Sequence, residues 1–141
     1  MAALVLSSCA KSSSSRASPT SSAPAATPSP SAVNVTEHDY ALALETTTVA
    51  AGSVALNIRN NGPSAHELLA FRSGLPEDQL PLGRDGRINE DDLPKVVDTD
   101  TDLPSGTTRQ LSAPLAPGRY VLVCNLQSHY RLGMHAVLTV T

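Results

Sequence analysis

Gly118-Arg-Tyr-Val-Leu-Val-Cys124-Asn-Leu-Gln-Ser-His129-Tyr-Arg-Leu-Gly-Met134-His-Ala-Val-Leu-Thr-Val-Thr141 consists of two β-rich runs flanking a short loop. The loop holds a thiol, an imidazole and a thioether, with four residues between Cys124 and His129 and four more between His129 and Met134. A Cys thiolate and a Met thioether are soft donors and imidazole is borderline. That mixture suits copper cycling between Cu(I) and Cu(II) and has no use for Mg or Ca. Zinc would accept the Cys and the His but not the Met. The plain alternative is a buried Cys, an exposed His and a core Met in an ordinary β-hairpin.

A trigonal site needs a second imidazole, and the chain offers one upstream in Asn60-Asn-Gly-Pro-Ser-Ala-His66-Glu-Leu-Leu-Ala-Phe71. The turn signal Asn61-Gly62-Pro63 delivers His66 at the start of an apolar run. On these residues, from about 33 to 141, the chain resembles the blue-copper or cupredoxin family. The resemblance implies one copper ion with equatorial ligands His66, Cys124 and His129 and a weak axial ligand, Met134. It also implies that the His129 imidazole is the electron's exit, set at the surface among apolar loop residues such as Leu126 and Leu132. One position departs from the family pattern. Several members carry Asn directly after the first ligand His, tying the two ligand loops together, and this chain has Glu67. Hydrogen bonding around the thiolate tunes the potential, so the departure bears on the potential and not on the ligands.

At the other end, Met1-Ala-Ala-Leu-Val-Leu6-Ser-Ser-Cys9 resembles the end of a bacterial lipoprotein signal. Leu6-Ser7-Ser8-Cys9 fits an aliphatic residue and two small ones before a Cys. The basic n-region and long apolar core of a complete signal are missing, so residues 1–9 read as a truncated signal with Cys9 as the lipidated residue. Residues 10–32 are almost wholly Ser, Ala, Pro and Thr, with Lys11 and Arg16 as the charges. Such a segment cannot bury enough apolar surface to offset its ordering entropy, and a disordered tether is expected. An O-glycosylated stalk has the same composition. Together these features imply an extracytoplasmic, membrane-anchored lipoprotein.

The remaining 109 residues, 33–141, have the size of one domain. With no Trp and a single Phe, the core must rest on Val, Leu, Ile and Ala. Strand-like runs fall at 33–44, 47–50, 53–60, 66–72, 96–99, 107–111, 119–124 and 135–140. Turn signals at Ala51-Gly52, Asn61-Gly62-Pro63, Pro104-Ser105-Gly106 and Ala116-Pro117-Gly118 separate most of them. Many short strands predict an all-β Greek-key sandwich of about eight strands. Val54, Leu56 and Ile58 alternate with polar Ser53, Asn57 and Arg59, as a strand with one buried face requires.

Residues 74–102 are the least strand-like part, with nine carboxylates against Arg84, Arg87 and Lys95. Asp85-Gly86-Arg-Ile88-Asn-Glu-Asp-Asp92 resembles the second half of a calcium loop. Pro81 and Gly83 stand where its first acidic ligands should be, which argues against such a site. A short helix around 90–93 is possible, in an otherwise solvated insertion or an acidic docking surface for a basic partner. Of the two thiols, one is read as lipidated and one as metal-bound, and a Cys9–Cys124 disulfide is the competing arrangement. His38 is expected to be exposed and His135 to point away from the metal.

The expected function is one-electron transfer by a monomer that meets a redox partner protein and no nucleic acid. The alternative is copper capture or delivery in metal homeostasis. Oxidase or nitrite reductase chemistry would need further copper ions on extra His-x-His pairs or a second domain, so no enzyme is expected.

Overall fold

A computed structural model describes residues 31–141. Cys9, the signal remnant and residues 10–30 of the expected tether lie outside the described residues. The described residues form nine strands: β1 (Ser31–His38), β2 (Ala41–Leu44), β3 (Thr48–Val49), β4 (Gly52–Asn60), β5 (Leu69–Arg72), β6 (Lys95–Asp98), β7 (Thr108–Leu115), β8 (Gly118–Val123) and β9 (His135–Val140). Single 3-10 turns sit at Glu90–Asp92 and Tyr130–Leu132. Two mixed sheets face each other, one in the order β2-β1-β4-β7 and the other β3-β9-β8-β5-β6. Among the described residues, no helix is long and apolar enough to cross a membrane.

Nine strands replace the expected eight because the run 33–44 folds back on itself. β1 and β2 pair antiparallel with His38 opposite Ala41, leaving Asp39 and Tyr40 as a two-residue reversal. No Gly, Pro or Asn marks this turn. β1 begins at Ser31, two residues before the expected strand start. β5 begins at Leu69 instead of residue 66, and His66 is held separately by an isolated bridge to Leu103. β7 runs on to Leu115 through Pro114, which an edge strand tolerates because the missing N–H faces no partner strand.

The main core lies between the sheets. Val54, Leu56 and Ile58 of β4 point inward beside Val33 and Val35 of β1, against Leu68, Ala70, Tyr120, Leu122, Leu138 and Val140. A second core covers the outer face of the five-stranded sheet: Leu69, Phe71, Val121 and Val123 pack there with Leu80, Ile88 and Tyr130. The acidic segment is therefore more than the solvated insertion expected from its charge. Its carboxylates lie largely outward, while Leu80 and Ile88 are 4% and 3% exposed. This cover explains why Leu68-Leu-Ala-Phe71 and Tyr120-Val-Leu-Val123 are apolar without alternation, since both faces of β5 and β8 are buried.

The cover is fastened to the Cys124–Met134 loop. The Leu80 amide donates to the Tyr130 hydroxyl at 2.8 Å. The Ile88 amide donates to Asn125 Oδ1 at 2.7 Å, and Asn125 Nδ2 donates back to the Ile88 carbonyl at 3.1 Å. Asn125 directly follows Cys124, so the segment between β5 and β6 braces the loop that carries the soft donors.

Candidate metal centre

His66, Cys124 and His129 meet at one end of the sandwich, their ligating atoms all within 4.8 Å of one another. Nδ1 of His66 lies 3.2 Å from Nδ1 of His129, and Sγ of Cys124 lies 3.4 Å from that same His129 nitrogen. His66 and Cys124 are fully buried, while His129 keeps one edge in solvent.

Three parts of the chain place these groups. Asn60, at the end of β4, organises the turn to His66. Its side chain donates to the carbonyls of Ser64 at 2.7 Å and Leu103 at 2.8 Å, and its Oδ1 accepts from the Gly62 amide at 2.8 Å. His66 and Leu103 then exchange backbone hydrogen bonds. Cys124 closes β8, where its amide donates to the Met134 carbonyl at 3.0 Å. His129 sits in a tight loop, its amide donating to Leu126 and its carbonyl accepting from Met134 at 3.1 Å. Gly133, at φ 117°, lets the chain leave the 3-10 turn and enter β9.

Met134 is fully buried, and two backbone hydrogen bonds tie it to Cys124 and His129. His38 is exposed, and His135 packs its ring 5.5 Å from that of Tyr130. Cys124 is not in a disulfide among the described residues.

Asp39 joins the site without any signal in the sequence. Its Oδ1 lies 2.8 Å from Nε2 of His66. A carboxylate can only accept, so Nε2 carries the proton and the Nδ1 lone pair is directed at the site. Asp39 is itself held by the Ser64 hydroxyl and by the Ser64 amide at 3.3 Å. The Ser64 hydroxyl foremost, with the His66 ring, keeps its carboxyl below the usual range.

Tyr40, beside Asp39 in the same reversal, also reaches the site. Its ring meets the His129 ring edge-on at 5.1 Å. Neither residue carries a local motif, and the contact exists because the β1–β2 reversal lies at the same end of the sandwich as the ligand loops.

The electrostatics suit a cation. Burial pushes the Cys124 thiol up to about 12, although the amides of Glu67 and Leu126 oppose it. The Glu67 amide donates to Sγ at 3.4 Å, so the backbone at Glu67 bridges the two ligand segments whatever its side chain does. A buried thiol of this kind ionises when a cation is there to hold the thiolate. Burial, and then the neighbouring His66, lowers the His129 pKa, which keeps its ring neutral and available as a ligand. Two neutral imidazole nitrogens beside one thiol fit a borderline to soft metal ion.

The two-sheet β-sandwich is the cupredoxin fold, shared with blue copper proteins of known structure, and in this chain it carries the His-Cys-His group at one end. Among solved structures, the chain is similar to an auracyanin of the photosynthetic bacterium Roseiflexus castenholzii, with TM-score 0.59 and 20% identity over 79% of this chain and 97% of that one. It is likewise similar to auracyanin A, a "blue" copper protein of Chloroflexus aurantiacus, with TM-score 0.56 and 17% identity over 80% of this chain and 100% of the other. Rusticyanin of Thiobacillus ferrooxidans gives TM-score 0.57 and 17% identity over 80% of this chain and 79% of that one. At these identities the likeness is one of fold. No protein-family model and no curated protein matches the chain by sequence.

Proposed function

We propose that the protein binds one copper ion at His66, Cys124 and His129, with Met134 as a weak axial ligand, and passes single electrons to and from a protein partner. The observation that carries this reading is the convergence of two Nδ1 atoms and one Sγ within 4.8 Å, on a fold shared with blue copper proteins. Bound there, copper would supply a one-electron couple. The chain's own residues do the rest. Asp39 fixes the His66 ring, the Glu67 amide anchors the thiolate, and the second core braces the loop between Cys124 and Met134. A site held this firmly rearranges little when its charge changes by one.

His129 is the group through which electrons would leave, because it alone of the three reaches the surface. Around it, Tyr40 and Leu132 are 43% and 54% exposed. Such a patch favours brief contact with another protein without binding it tightly. Electron carriage, and not catalysis, is the role this arrangement supports. The lipobox-like Leu6-Ser7-Ser8-Cys9 further supports an extracytoplasmic protein anchored through Cys9.

Adding Cu(II) to the apoprotein tests the reading. An intense visible band from thiolate-to-copper charge transfer is expected, and Cys124→Ser should abolish it. A coloured complex that survives that substitution would refute the assignment.

A further inference from the structure

Glu37 stands on the inner face of β1 in line with Val33 and Val35, and it is 0% exposed. Neither of its carboxyl oxygens has a hydrogen-bond partner. Packing alone would have placed an apolar residue there. The residues paired beside it are Leu42 on β2 and Asn60 on β4, and neither titrates. His38, next along β1, is exposed on the opposite side. Glu67, beside His66, is the titratable group that acts on its charge, and Glu37 in turn acts on Cys124, which closes β8. No Lys or Arg pairs with it, since its oxygens are unpartnered.

An ionised carboxylate in such a place lacks both water and a counter-ion, so the neutral acid is favoured. Burial first, and Glu67 second, pushes the Glu37 carboxyl up to about 7. Glu37 is no ligand. It makes no hydrogen bond to His66, Cys124 or His129 and does not belong to their group. Its charge is nonetheless felt at Cys124.

We propose that Glu37 is a proton-exchange site that compensates the charge of the metal centre, neutral when the centre is empty or holds a monocation and ionised when it holds a dication. The proposal rests on the metal reading above. Counting the Asp39 carboxylate behind His66, a dication and one thiolate sum to zero in a poorly solvated interior. A monocation and one thiolate then leave one negative charge, so the dication state is the one that accommodates a second carboxylate. Going from dication to monocation, one electron enters from the redox partner and one proton from water binds a carboxyl oxygen of Glu37. The reverse step releases both. Glu37 is thus a positioning residue for charge.

Zn(II) tests this without any redox step, because it accepts the Cys and both His donors. In weakly buffered solution near pH 6, the apoprotein should release about one proton more per Zn(II) bound than the Glu37→Gln variant. Glu37→Leu, an apolar fill of the same pocket, should behave like Glu37→Gln and serves if the amide variant does not fold. Equal release from wild type and variants overturns the role of Glu37 while leaving the metal site intact. Failure of both Zn(II) and Cu(II) to bind overturns the metal reading and this proposal with it. A second readout is the reduction potential of the copper-loaded protein, which should fall as pH rises in wild type and stay flat in either variant. A flat wild-type profile overturns the proposal.

Discussion

Gly62 approaches Asp39 so closely that a β-carbon at residue 62 would fall 2.5 Å from Asp39 Oδ1 and 2.9 Å from His66 Nε2. Glycine is needed here for space, because the bare backbone is what lets the carboxylate reach the ligand ring. Gly62→Ala should push Asp39 off His66 and lower metal affinity by about 10- to 100-fold, the usual cost of losing a partner behind a ligating His. Asp39→Ala should do the same by direct removal. Competition titration with a chelator of known affinity measures both, and wild-type affinity in Gly62→Ala would show that the contact is dispensable.

The Leu80 amide and the Tyr130 hydroxyl make a similar joint between the cover and the ligand loop. Leu80→Ala should destabilise the protein by about 2–5 kcal/mol, as other large-to-small core changes do. Tyr130→Phe removes the acceptor and leaves a buried amide unpaired, at a cost of about 1–3 kcal/mol. Denaturant titration of the apoprotein gives both numbers. A change below about 0.5 kcal/mol for Leu80→Ala would mark the segment as a loose insertion.

Legibility in the sequence followed the range of each interaction. Cys124, His129 and Met134 lie in one loop, so their spacing alone exposed the chemistry, and β9 spans the strand-like run expected at 135–140. His66 was visible because a turn signal precedes it. The second core was legible in principle, since Leu68-Leu-Ala-Phe71 and Tyr120-Val-Leu-Val123 lack alternation, but the charge of residues 74–102 masked the two apolar residues that meet them. Glu37 follows the period-two pattern of Val33 and Val35 and so stands on the buried face. Asp39 had no such signature. Its contact with His66 depends on the parallel pairing of β1 and β4, which no local pattern announces.

The stability of the apoprotein should depend on pH through Glu37. Its folded pKa, about 7, lies above its ordinary value of 4.5. The proton is therefore bound more tightly in the folded state, and stability is fully present below about pH 4.5 and declines as pH rises through about 7. The loss should reach ~3 kcal/mol between those limits, at 1.36 kcal/mol per pKa unit. Glu37→Gln should flatten this part of the profile. Chemical denaturation at a series of pH values is the check, and parallel profiles for wild type and variant would remove Glu37 from the account.

Met134→Gln should leave copper bound but lower the potential, because an amide oxygen favours Cu(II) more than a thioether does. His66→Gly should open an equatorial position that added imidazole can fill, restoring the visible band. Voltammetry and absorption separate the two effects. An unchanged potential in Met134→Gln would mean that the buried thioether lies outside the ligand set.

Electron carriage and copper delivery make opposite demands on the same donors. A carrier must keep its ion through both oxidation states, whereas a delivery protein must give it up. Cys124 and Met134 favour Cu(I), and His66 and His129 serve both states. Burial of Cys124 and Met134, with the cover braced behind their loop, leaves His129 as the ligand edge a competing chelator can reach. The chain has two Met, one of them Met1, and four His without a cluster beyond this site, so it offers no exposed tract along which copper could be handed on. Copper should therefore stay bound through repeated chemical reduction and reoxidation in the presence of a Cu(I) chelator, while electrons exchange rapidly with a small redox protein. Loss of copper to the chelator on each reduction, together with slow electron exchange, would make copper handling the better account.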